Sequence, residues 1–324
     1  MTARIAIALL ALLTRCAPPE TDCTLHMVAQ MPLQIQDDLL IVPAGIHGKI
    51  IHLVVDTGAE RTTIAASASH HLDLIPDPRH TTQSLGIGGI TRAPEASVGH
   101  LSLGGVEFPL ERAAVAAFQL HSDHGLDADG LLGADILLLF DLDIDVPNGQ
   151  LTLYRPRLCP TAKPPWHEPA VEINGVRASG DRLLMPFNLD GVPGMAILDT
   201  GAQQDVLGLD MARRLHLSSL TSMAADPTIT QHGVGPAEVI AHLHQFKLLR
   251  IGPLSQRSPR LAVTESEAGI GDAVVGEAFL RNRRVWMSFS NRQIYVSLKP
   301  RPETNADRRD TFDASLAATA PGGH

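Results

Sequence analysis

The chain contains few residues of several kinds, and each shortage limits what it can do. Aromatic residues make up 4% of its 324 residues, and cysteine occurs three times. Acidic residues outnumber Lys and Arg by 35 to 26, which gives a net charge of −9, and basic residues cluster only as short pairs. Because proteins that bind nucleic acid carry a basic patch or stripe, we expect no nucleic-acid partner.

Long hydrophobic runs are also missing. The apolar stretch Ile5–Leu13 has nine residues, about half the length that a membrane-spanning helix needs. It follows Arg4, so residues 1–22 predict a secretory signal peptide and a periplasmic or secreted protein. Cys16 stands where a lipoprotein signal carries its acylated cysteine, but Arg15 replaces the small residue expected before it. A lipid anchor on Cys16 is therefore the alternative, and the one expected route to a membrane.

One four-residue motif occurs twice, as Asp56-Thr57-Gly58-Ala59 and as Asp199-Thr200-Gly201-Ala202. The offset between the two copies (199 − 56 = 143) also brings identical residues into register from Asp38 to Leu74, and again from Asp129 to Gln150. Solenoid repeats are far shorter, at about 20 to 50 residues. The sequence therefore predicts two homologous lobes.

Short apolar runs rich in β-branched residues are separated by Gly, Pro and Asn turns, which predicts all-β lobes; the first of these predicted hairpin turns is Pro43–Gly48. The helical signals Ser67–Leu72 and Leu209–Leu215 predict one short helix per lobe. We divide the chain into a signal peptide (1–22), an N-terminal lobe (23–158), a proline-rich linker (159–169), a C-terminal lobe (170–299) and a polar tail (300–324) that we expect to be disordered.

Two cysteines flank the N-terminal lobe. In an oxidising compartment Cys23 and Cys159 could form a disulfide that closes this lobe on itself. Two unpaired thiols are the alternative.

The duplicated aspartates suggest a single site built from two halves. Asp56 and Asp199 each end an apolar run, and the following Thr and Gly allow a tight turn with backbone amides near the carboxylate. If the lobes meet about a two-fold axis, the carboxylates face each other and share a proton. Such a pair can activate water while polarising a peptide carbonyl.

From residue 33 to 298 the chain resembles aspartic proteases of the pepsin and retropepsin clan, through three elements that recur in each lobe. The first is the Asp-Thr-Gly-Ala motif. The second is a glycine-rich segment that resembles the substrate-covering flap, with Gly86, Ile87, Gly88 and Gly89 in one lobe and Gly233, Val234 and Gly235 in the other. The third is an apolar pair before Gly133 and Gly276, and each glycine follows its aspartate at the same spacing (133 − 56 = 77; 276 − 199 = 77).

The resemblance implies an all-β fold of two retropepsin-like β-barrel lobes related by a pseudo-two-fold axis. It implies an aspartic endopeptidase that acts on polypeptides, with Asp56 and Asp199 as the catalytic dyad. The flanking residues Thr57, Gly58, Ala59, Thr200, Gly201 and Ala202 would support the active-site loops. Such an enzyme needs no cofactor and no metal, and one chain completes its site without a dimer.

Two departures favour the retropepsin type over the pepsin type. Ala59 and Ala202 stand where pepsins usually carry a hydroxyl residue that can donate to the aspartate. Without that donor we expect the acidic limb of the pH profile to lie higher than in pepsins. Neither glycine-rich segment contains the flap tyrosine of pepsins, since the two tyrosines are Tyr154 and Tyr295, in the last strand of each lobe.

Three other interpretations compete with this one. The chain could be an inactive envelope protein that binds peptides in the interlobe cleft. Its 15 histidines, including His242 and His244, could suggest a metal carrier, but no Cys or carboxylate cluster completes a site, so surface histidines are favoured. The alternating acids Asp141, Asp143 and Asp145 could suggest calcium, but a charged solvent face is favoured.

Overall fold

The computed structural model describes residues 24–117, 128–156, 163–177, 182–217, 223–231, 239–264 and 271–298. The predicted signal peptide and tail lie outside these residues, as do Cys16, Cys23, Cys159 and the second glycine-rich segment, Gly233–Gly235. None of the helices in the described part of the chain is long and apolar enough to cross a membrane.

The N-terminal half forms eleven strands and two short helices. The strands are β1 Met27–Pro32, β2 Gln34–Gln36, β3 Leu39–Ile46, β4 Lys49–Val55, β5 Thr63–Ala65, β6 Pro76–Gly86, β7 Gly89–Leu103, β8 Val106–Ala116, β9 Gly130–Leu132, β10 Asp141–Asp145 and β11 Gln150–Tyr154. The helices are α1 Ala66–Ser69 and α2 Ala134–Leu137, and a 3-10 turn spans Val146–Asn148.

The C-terminal half repeats this plan. Its strands are β12 Ala170–Asn174, β13 Val176–Arg177, β14 Leu183–Leu189, β15 Val192–Leu198, β16 Val206–Leu207, β17 Thr228–Gln231, β18 Val239–Gln245, β19 Leu248–Ile251, β20 Leu254–Arg257, β21 Arg260–Thr264, β22 Ala273–Val275, β23 Arg284–Ser288 and β24 Gln293–Ser297. Its helices are α3 Leu209–Arg214 and α4 Glu277–Leu280. The predicted all-β, two-lobed fold is confirmed.

The strands form three sheets. One lobe contains an eight-stranded sheet in the order β2-β3-β4-β9-β5-β8-β7-β6. The other contains a ten-stranded sheet in the order β17-β18-β21-β16-β22-β15-β14-β19-β20, with β13 paired to β14. The third sheet, β1-β11-β10-β23-β24-β12, takes three strands from each half and joins the lobes. Buried aliphatic side chains from both halves pack into one continuous core.

A pseudo-two-fold axis relates the two lobes. In the joining sheet β10 pairs antiparallel with β23, and Asp143 lies opposite Trp286. These two residues are separated by the repeat offset itself (286 − 143 = 143), so the axis passes between them. Residues that correspond in the sequence repeat are therefore also related by the pseudo-two-fold axis of the fold.

Three sequence expectations need correction. Each lobe has two short helices rather than one, because a four-residue helix also follows Gly133 and Gly276. The predicted turn in Pro43–Gly48 is shorter: β3 continues to Ile46, and the turn is His47-Gly48, whose φ angles of 53° and 75° suit a two-residue hairpin.

The third correction concerns the alternating acids of β10. Asp141, Asp143 and Asp145 are 2%, 1% and 5% exposed, so they do not form a solvent face. Arg284 of β23 pairs with Asp143 at 2.7 Å and with Asp145 at 3.4 Å. The linker residue Trp166 donates its indole N–H to Asp143 at 3.2 Å. The described residues contain no group of three or more His, Cys, Asp or Glu arranged to hold a metal ion.

Candidate active site

The two aspartates lie at the ends of equivalent buried strands. β4 ends at Val55 and pairs in parallel with β9, and the Asp56 N–H donates to Leu132 O at 3.0 Å. β15 pairs in parallel with β22, and the Asp199 N–H donates to Val275 O at 2.9 Å. Each aspartate is therefore held by the parallel ladder of its own lobe, directly before the chain turns.

The glycines of the apolar-apolar-Gly segments lie beneath the two Asp-Thr-Gly-Ala loops. Ala134 N–H donates to Ala59 O at 2.8 Å, and Glu277 N–H donates to Ala202 O at 2.9 Å. A Cβ on Gly276 would lie 2.2 Å from Ala202 O. Only glycine allows the start of the short helix to approach the loop this closely.

The two threonines bind the lobes together in a reciprocal arrangement. The Thr57 hydroxyl donates to Leu198 O at 2.8 Å and accepts the Thr200 N–H at 3.1 Å. The Thr200 hydroxyl donates to Val55 O at 2.6 Å and accepts the Thr57 N–H at 3.1 Å. Both side chains are buried. These four bonds cross the interlobe boundary beneath the aspartates and fix the distance between the two loops.

The aspartates face each other across the pseudo-two-fold axis and are joined by a side-chain hydrogen bond. Asp56 Oδ1 accepts the N–H groups of Gly58 at 2.9 Å and Ala59 at 2.8 Å, whereas Asp199 Oδ1 accepts the Gly201 N–H at 2.9 Å. A Cβ on Gly58 would lie 2.2 Å from Asp199 Oδ2. A Cβ on Gly201 would lie 2.4 Å from Asp56 Cγ, so each glycine makes room for the opposite carboxylate.

The environment favours a protonated form of the pair. Burial raises the pKa of Asp56 well above its ordinary value, and the negative charge of Asp199 raises it further. Burial also raises the pKa of Asp199, partly offset by the Gly201 N–H and by the hydrogen bond with Asp56. Since two adjacent carboxylates titrate as a unit, the pair retains one shared proton above the usual carboxyl range.

A cleft of about 560 Å³ opens above the pair. The β6–β7 hairpin closes over it with a two-residue turn, Ile87-Gly88, between Gly86 and Gly89. Of the predicted flap residues, Gly86 and Ile87 line the cleft together with Leu85, while Gly88 and Gly89 complete the turn. The equivalent strand of the second lobe, β17, contributes Ile229, Thr230 and Gln231.

The sequence does not indicate several other residues of the cleft, which are Arg182, Ile197, Gln203, Gln204, Val206, Ile229, Thr230 and Val274. Gln203 and Gln204 directly follow the second Asp-Thr-Gly-Ala motif, so their position along the chain could have indicated them. Arg182 precedes Asp199 by the whole of β14 and β15, and nothing in the local sequence marks it as a cleft residue.

Comparisons with known proteins agree with this geometry. A sequence model of the family described as "Aspartyl protease" matches residues 42–136 and 185–279, and the two matches are themselves separated by the repeat offset (185 − 42 = 143). No match was found among curated proteins. Among solved structures, the aspartic proteinase from Irpex lacteus is similar with a TM-score of 0.51 and 14% identity, over 83% of this chain and 96% of that one. That likeness shows the fold, and the two family matches show that the chain belongs to the aspartyl protease family.

Proposed function

We propose that this protein is an aspartic endopeptidase that hydrolyses peptide bonds with a water molecule activated between Asp56 and Asp199. The observation that carries the proposal is the hydrogen-bonded pair of carboxylates at the base of the cleft, with both pKa values raised. Paired carboxylates that share a proton are the established pattern of aspartic proteases. The symmetric threonine bonds support the proposal, because they hold the pair in a fixed geometry.

In the proposed reaction the ionised member of the pair accepts a proton from water, and the resulting hydroxide adds to the scissile carbonyl carbon. The protonated member donates its proton to the carbonyl oxygen as negative charge develops there. Collapse of the tetrahedral intermediate breaks the C–N bond: the amine leaves with the proton that the pair took from water, and a hydroxyl of the intermediate returns a proton to the other carboxylate. The dyad thus serves as both general base and general acid, and no group is consumed.

The cleft suits a polypeptide in an extended conformation. Its volume of about 560 Å³ is within the range of ligand-binding pockets, and the tip of the β6–β7 hairpin covers the pair with Leu85 and Ile87. Apolar side chains over the pair would exclude bulk water once a substrate is bound, which strengthens the electrostatic interactions at the reacting centre.

The proposed pH profile follows from the raised pKa values. Activity requires one proton on the pair, and it falls as the pH rises through the upper pKa of the pair. Since burial raises both pKa values, and the negative charge of Asp199 raises that of Asp56 further, activity extends toward neutral pH. Ala59 and Ala202 add no hydroxyl donor to oppose this shift. Such a profile would suit the periplasmic or secreted location that the signal peptide predicts.

The test is to measure cleavage of a mixed peptide library at pH 4 to 7 by the wild-type protein and by the Asp56→Asn and Asp199→Asn variants. General acid–base catalysis typically contributes about 10²- to 10⁴-fold, so both variants are expected to lose at least that much activity. Asp73→Asn is the matched control, because it removes a carboxylate that is paired with Lys49 on the surface.

Unchanged cleavage in either dyad variant contradicts the assignment of the dyad. Saturable binding of peptides by the wild-type protein without any product would instead support an inactive, peptide-binding envelope protein.

A further inference from the structure

The two lobes contribute different chemistry to the cleft. Apart from Asp56, the described lining residues of the N-terminal lobe are glycine or apolar: Gly58, Ala59, Leu85, Gly86 and Ile87. The C-terminal lobe contributes apolar residues as well, but adds five polar side chains besides Asp199: Arg182, Gln203, Gln204, Thr230 and Gln231. The described lining is therefore apolar on one side and mixed on the other, which predicts that the two sides accept different side chains.

Arg182 is the only Lys or Arg among the described residues that line the cleft. It directly precedes β14, the strand that pairs with β15, and β15 leads into Asp199. Its positive charge is close enough to Asp199 to lower the pKa of that carboxyl. Arg182 is half-buried and lines the wall of the cleft.

The duplication provides an internal comparison for this position. The counterpart of Arg182 in the N-terminal lobe is Leu39 (182 − 39 = 143), which packs beside the small apolar cluster that contains Ile41 and Val54. The same place in the fold therefore accepts a leucine, and the loop beside it still holds its aspartate. A cation at residue 182 is thus not required for holding the catalytic loop.

A substrate that fills the cleft must displace water from the Arg182 guanidinium. Removing water from a charged group is costly unless the ligand supplies an opposite charge. A guanidinium carries five N–H donors in a planar fork that matches a carboxylate. The fork can therefore bind a substrate carboxylate beside, or in exchange for, the interaction that Arg182 makes in the free protein.

A second polar group on the same side also points to a ligand. Gln231, in β17, lines the cleft and is 9% exposed, and its Oε1 has no hydrogen-bond partner among the described residues. A buried acceptor without a donor is costly in the free protein. A substrate peptide can supply a backbone N–H to this oxygen, so the polar side of the cleft is built to hold a polar segment of the substrate.

We propose that Arg182 is a specificity-determining residue that selects polypeptides with a Glu or Asp side chain on the C-terminal-lobe side of the cleft. The inference rests on the proposed function, since it names the substrate class of the same site. The side facing the β6–β7 hairpin accepts an apolar side chain, because Leu85 and Ile87 line it.

The test compares peptide pairs that differ only by Glu or Gln, scanned over the four positions on each side of the scissile bond. The two side chains have the same shape, so their ratio of kcat/KM reports charge alone. A charge-assisted hydrogen bond stabilises by more than a neutral one, so at one position we expect a preference for Glu of about tenfold. This preference should decrease as salt is added.

Three variants assign the preference to its residue. Arg182→Leu copies the side chain of Leu39 and should bring the Glu/Gln ratio of kcat/KM to about one. Arg182→Lys keeps the charge without the planar fork and should retain part of the preference. Arg213→Leu is the control of equal charge, since Arg213 is exposed on α3 and paired with Asp210 at 2.9 Å.

The outcomes separate this inference from the proposed function. A Glu/Gln ratio that persists in Arg182→Leu, or a wild-type ratio of one at every position, overturns the inference. A shift of the pH profile in Arg182→Leu is expected for both peptides, since Arg182 lowers the pKa of Asp199; if that shift comes with an unchanged Glu/Gln ratio, Arg182 acts only on the dyad and the inference is overturned. Binding of the same peptides to Asp56→Asn, measured by fluorescence anisotropy, tests the preference without catalysis. If the wild-type protein binds Glu peptides preferentially but cleaves none, the proposed function is wrong and the assignment of Arg182 stands.

Discussion

The two lobes use different residues to accept the same backbone N–H beneath their Asp-Thr-Gly-Ala loops. In the N-terminal lobe the Thr62 hydroxyl accepts the Gly133 N–H at 3.1 Å and donates to Asp135 at 2.7 Å. In the C-terminal lobe the carboxylate of Asp205, the counterpart of Thr62, accepts the Gly276 N–H directly at 2.8 Å. The counterpart of Asp135 is Ala278 (135 + 143 = 278). Each lobe thus uses one carboxylate, on α2 in the N-terminal lobe and directly before β16 in the C-terminal lobe. Both lobes keep an acceptor for the buried glycine N–H.

The two lobes lose their common register in the segment between β5 and β9, which contains the β6–β7 hairpin. The turn at Gly104 corresponds to the turn at Gly252, so the repeat offset there is 148 (252 − 104 = 148). It returns to 143 at β9 and β22 (273 − 130 = 143). The symmetric part of the molecule is therefore the aspartate pair and its supports, and the asymmetric part is the segment that covers the cleft.

In the joining sheet the central strands of the two halves, β10 and β23, carry different residues at equivalent positions. β10 carries Asp141, Asp143 and Asp145, while the equivalent positions of β23 are Arg284, Trp286 and Ser288. Two copies of the N-terminal lobe joined in the same way would place Asp143 opposite a second Asp143 in a buried position. Such like-charge pairing is destabilising, so the interface favours association of unlike lobes.

The largest effect is expected from breaking this complementarity with Arg284→Met. Asp143 is 1% exposed and loses its partner at 2.7 Å, which leaves a buried, uncompensated charge. Removing one member of a buried ion pair costs about 3 to 5 kcal/mol in the free energy of unfolding. Urea denaturation of the full chain measures this loss.

The matched variant combines Arg284→Met with Asp143→Leu, which removes the closer ion pair; Asp145, the second partner of Arg284, keeps its hydrogen bonds from Asn148. Since replacing a buried pair with apolar side chains is often neutral, we expect most of the stability to return. Equal losses in the single and double variants would mean that the ion pair does not hold the two lobes together.

A smaller effect is expected from exchanging the loop supports between lobes. In Asp205→Thr the Gly276 N–H keeps an acceptor, but the new hydroxyl lacks the aspartate that Thr62 uses in the other lobe. An unsatisfied buried group costs about 1 to 3 kcal/mol, measurable by urea denaturation. Adding Ala278→Asp rebuilds the pattern of the N-terminal lobe, and at least half of the loss should be recovered. Additive losses in the double variant would show that the two supports are not interchangeable.

The dyad predicts a further, pH-dependent effect on stability. The folded-state pKa values of Asp56 and Asp199 are raised above their ordinary value near 3.8. The folded protein therefore binds the shared proton more tightly than the unfolded chain, and this contribution is lost as the pH rises through the folded pKa values. Asp56→Asn removes the titrating group, so relative to wild type it should be more stable at pH 7 than at pH 3.5.

Asp73→Asn provides a control of opposite sign. Lys49 lowers the pKa of Asp73, so the stability that Asp73 contributes is present at pH 7 and lost as the pH falls through its lowered pKa. This variant should therefore be less stable than wild type at pH 7, and the difference should shrink in acid. Urea denaturation at several pH values measures both slopes, and slopes of the same sign would contradict the role of burial in raising the pKa values of the dyad.

The sequence predicted the symmetric part of the molecule because there the two halves keep one register. The spacing from Asp56 to Gly133 equals that from Asp199 to Gly276. In each lobe the strand before the aspartate pairs in parallel with the strand before the glycine, so the spacing is fixed by that pairing. The sequence predicts too long a turn between β3 and β4, because a proline such as Pro43 usually favours a turn. In the fold Pro43 falls where the neighbour of β3 changes from β2 to β7, so no ladder bond requires its missing N–H.

The asymmetric part could not be predicted, because it depends on contacts between distant residues. The alternation of Asp141, Asp143 and Asp145 is the same for a solvent-exposed strand face and for a buried face that is paired with a cation. The cation is Arg284, which is far from Asp143 in the sequence. The second helix of each lobe has four residues, too few to show a helical period. Arg182 enters the cleft only because β14 pairs with β15, and that pairing places it near Asp199.

The smallest effect is expected from exchanging a second pair of equivalent residues. Asp129 and Asp272 each accept a backbone N–H from their own lobe at 2.9 Å, from His52 and Met195 respectively. The first also contacts His71, at 3.8 Å, and the second contacts Arg214, which occupies the equivalent position (71 + 143 = 214). A guanidinium stays charged at every working pH, whereas an imidazole is charged only when protonated.

His71→Arg should therefore give the N-terminal lobe the permanent pair that the C-terminal lobe already has. His71 is half-exposed, with 51% of its side chain accessible, and exposed pairs contribute about 0 to 1 kcal/mol, so the gain in the free energy of unfolding should stay below about 1 kcal/mol. Urea denaturation at pH 8 and low salt gives the best resolution, since salt screens such pairs. Arg214→His should produce a loss of similar size, and a gain in both variants would mean that packing, rather than charge, distinguishes the two lobes at this position.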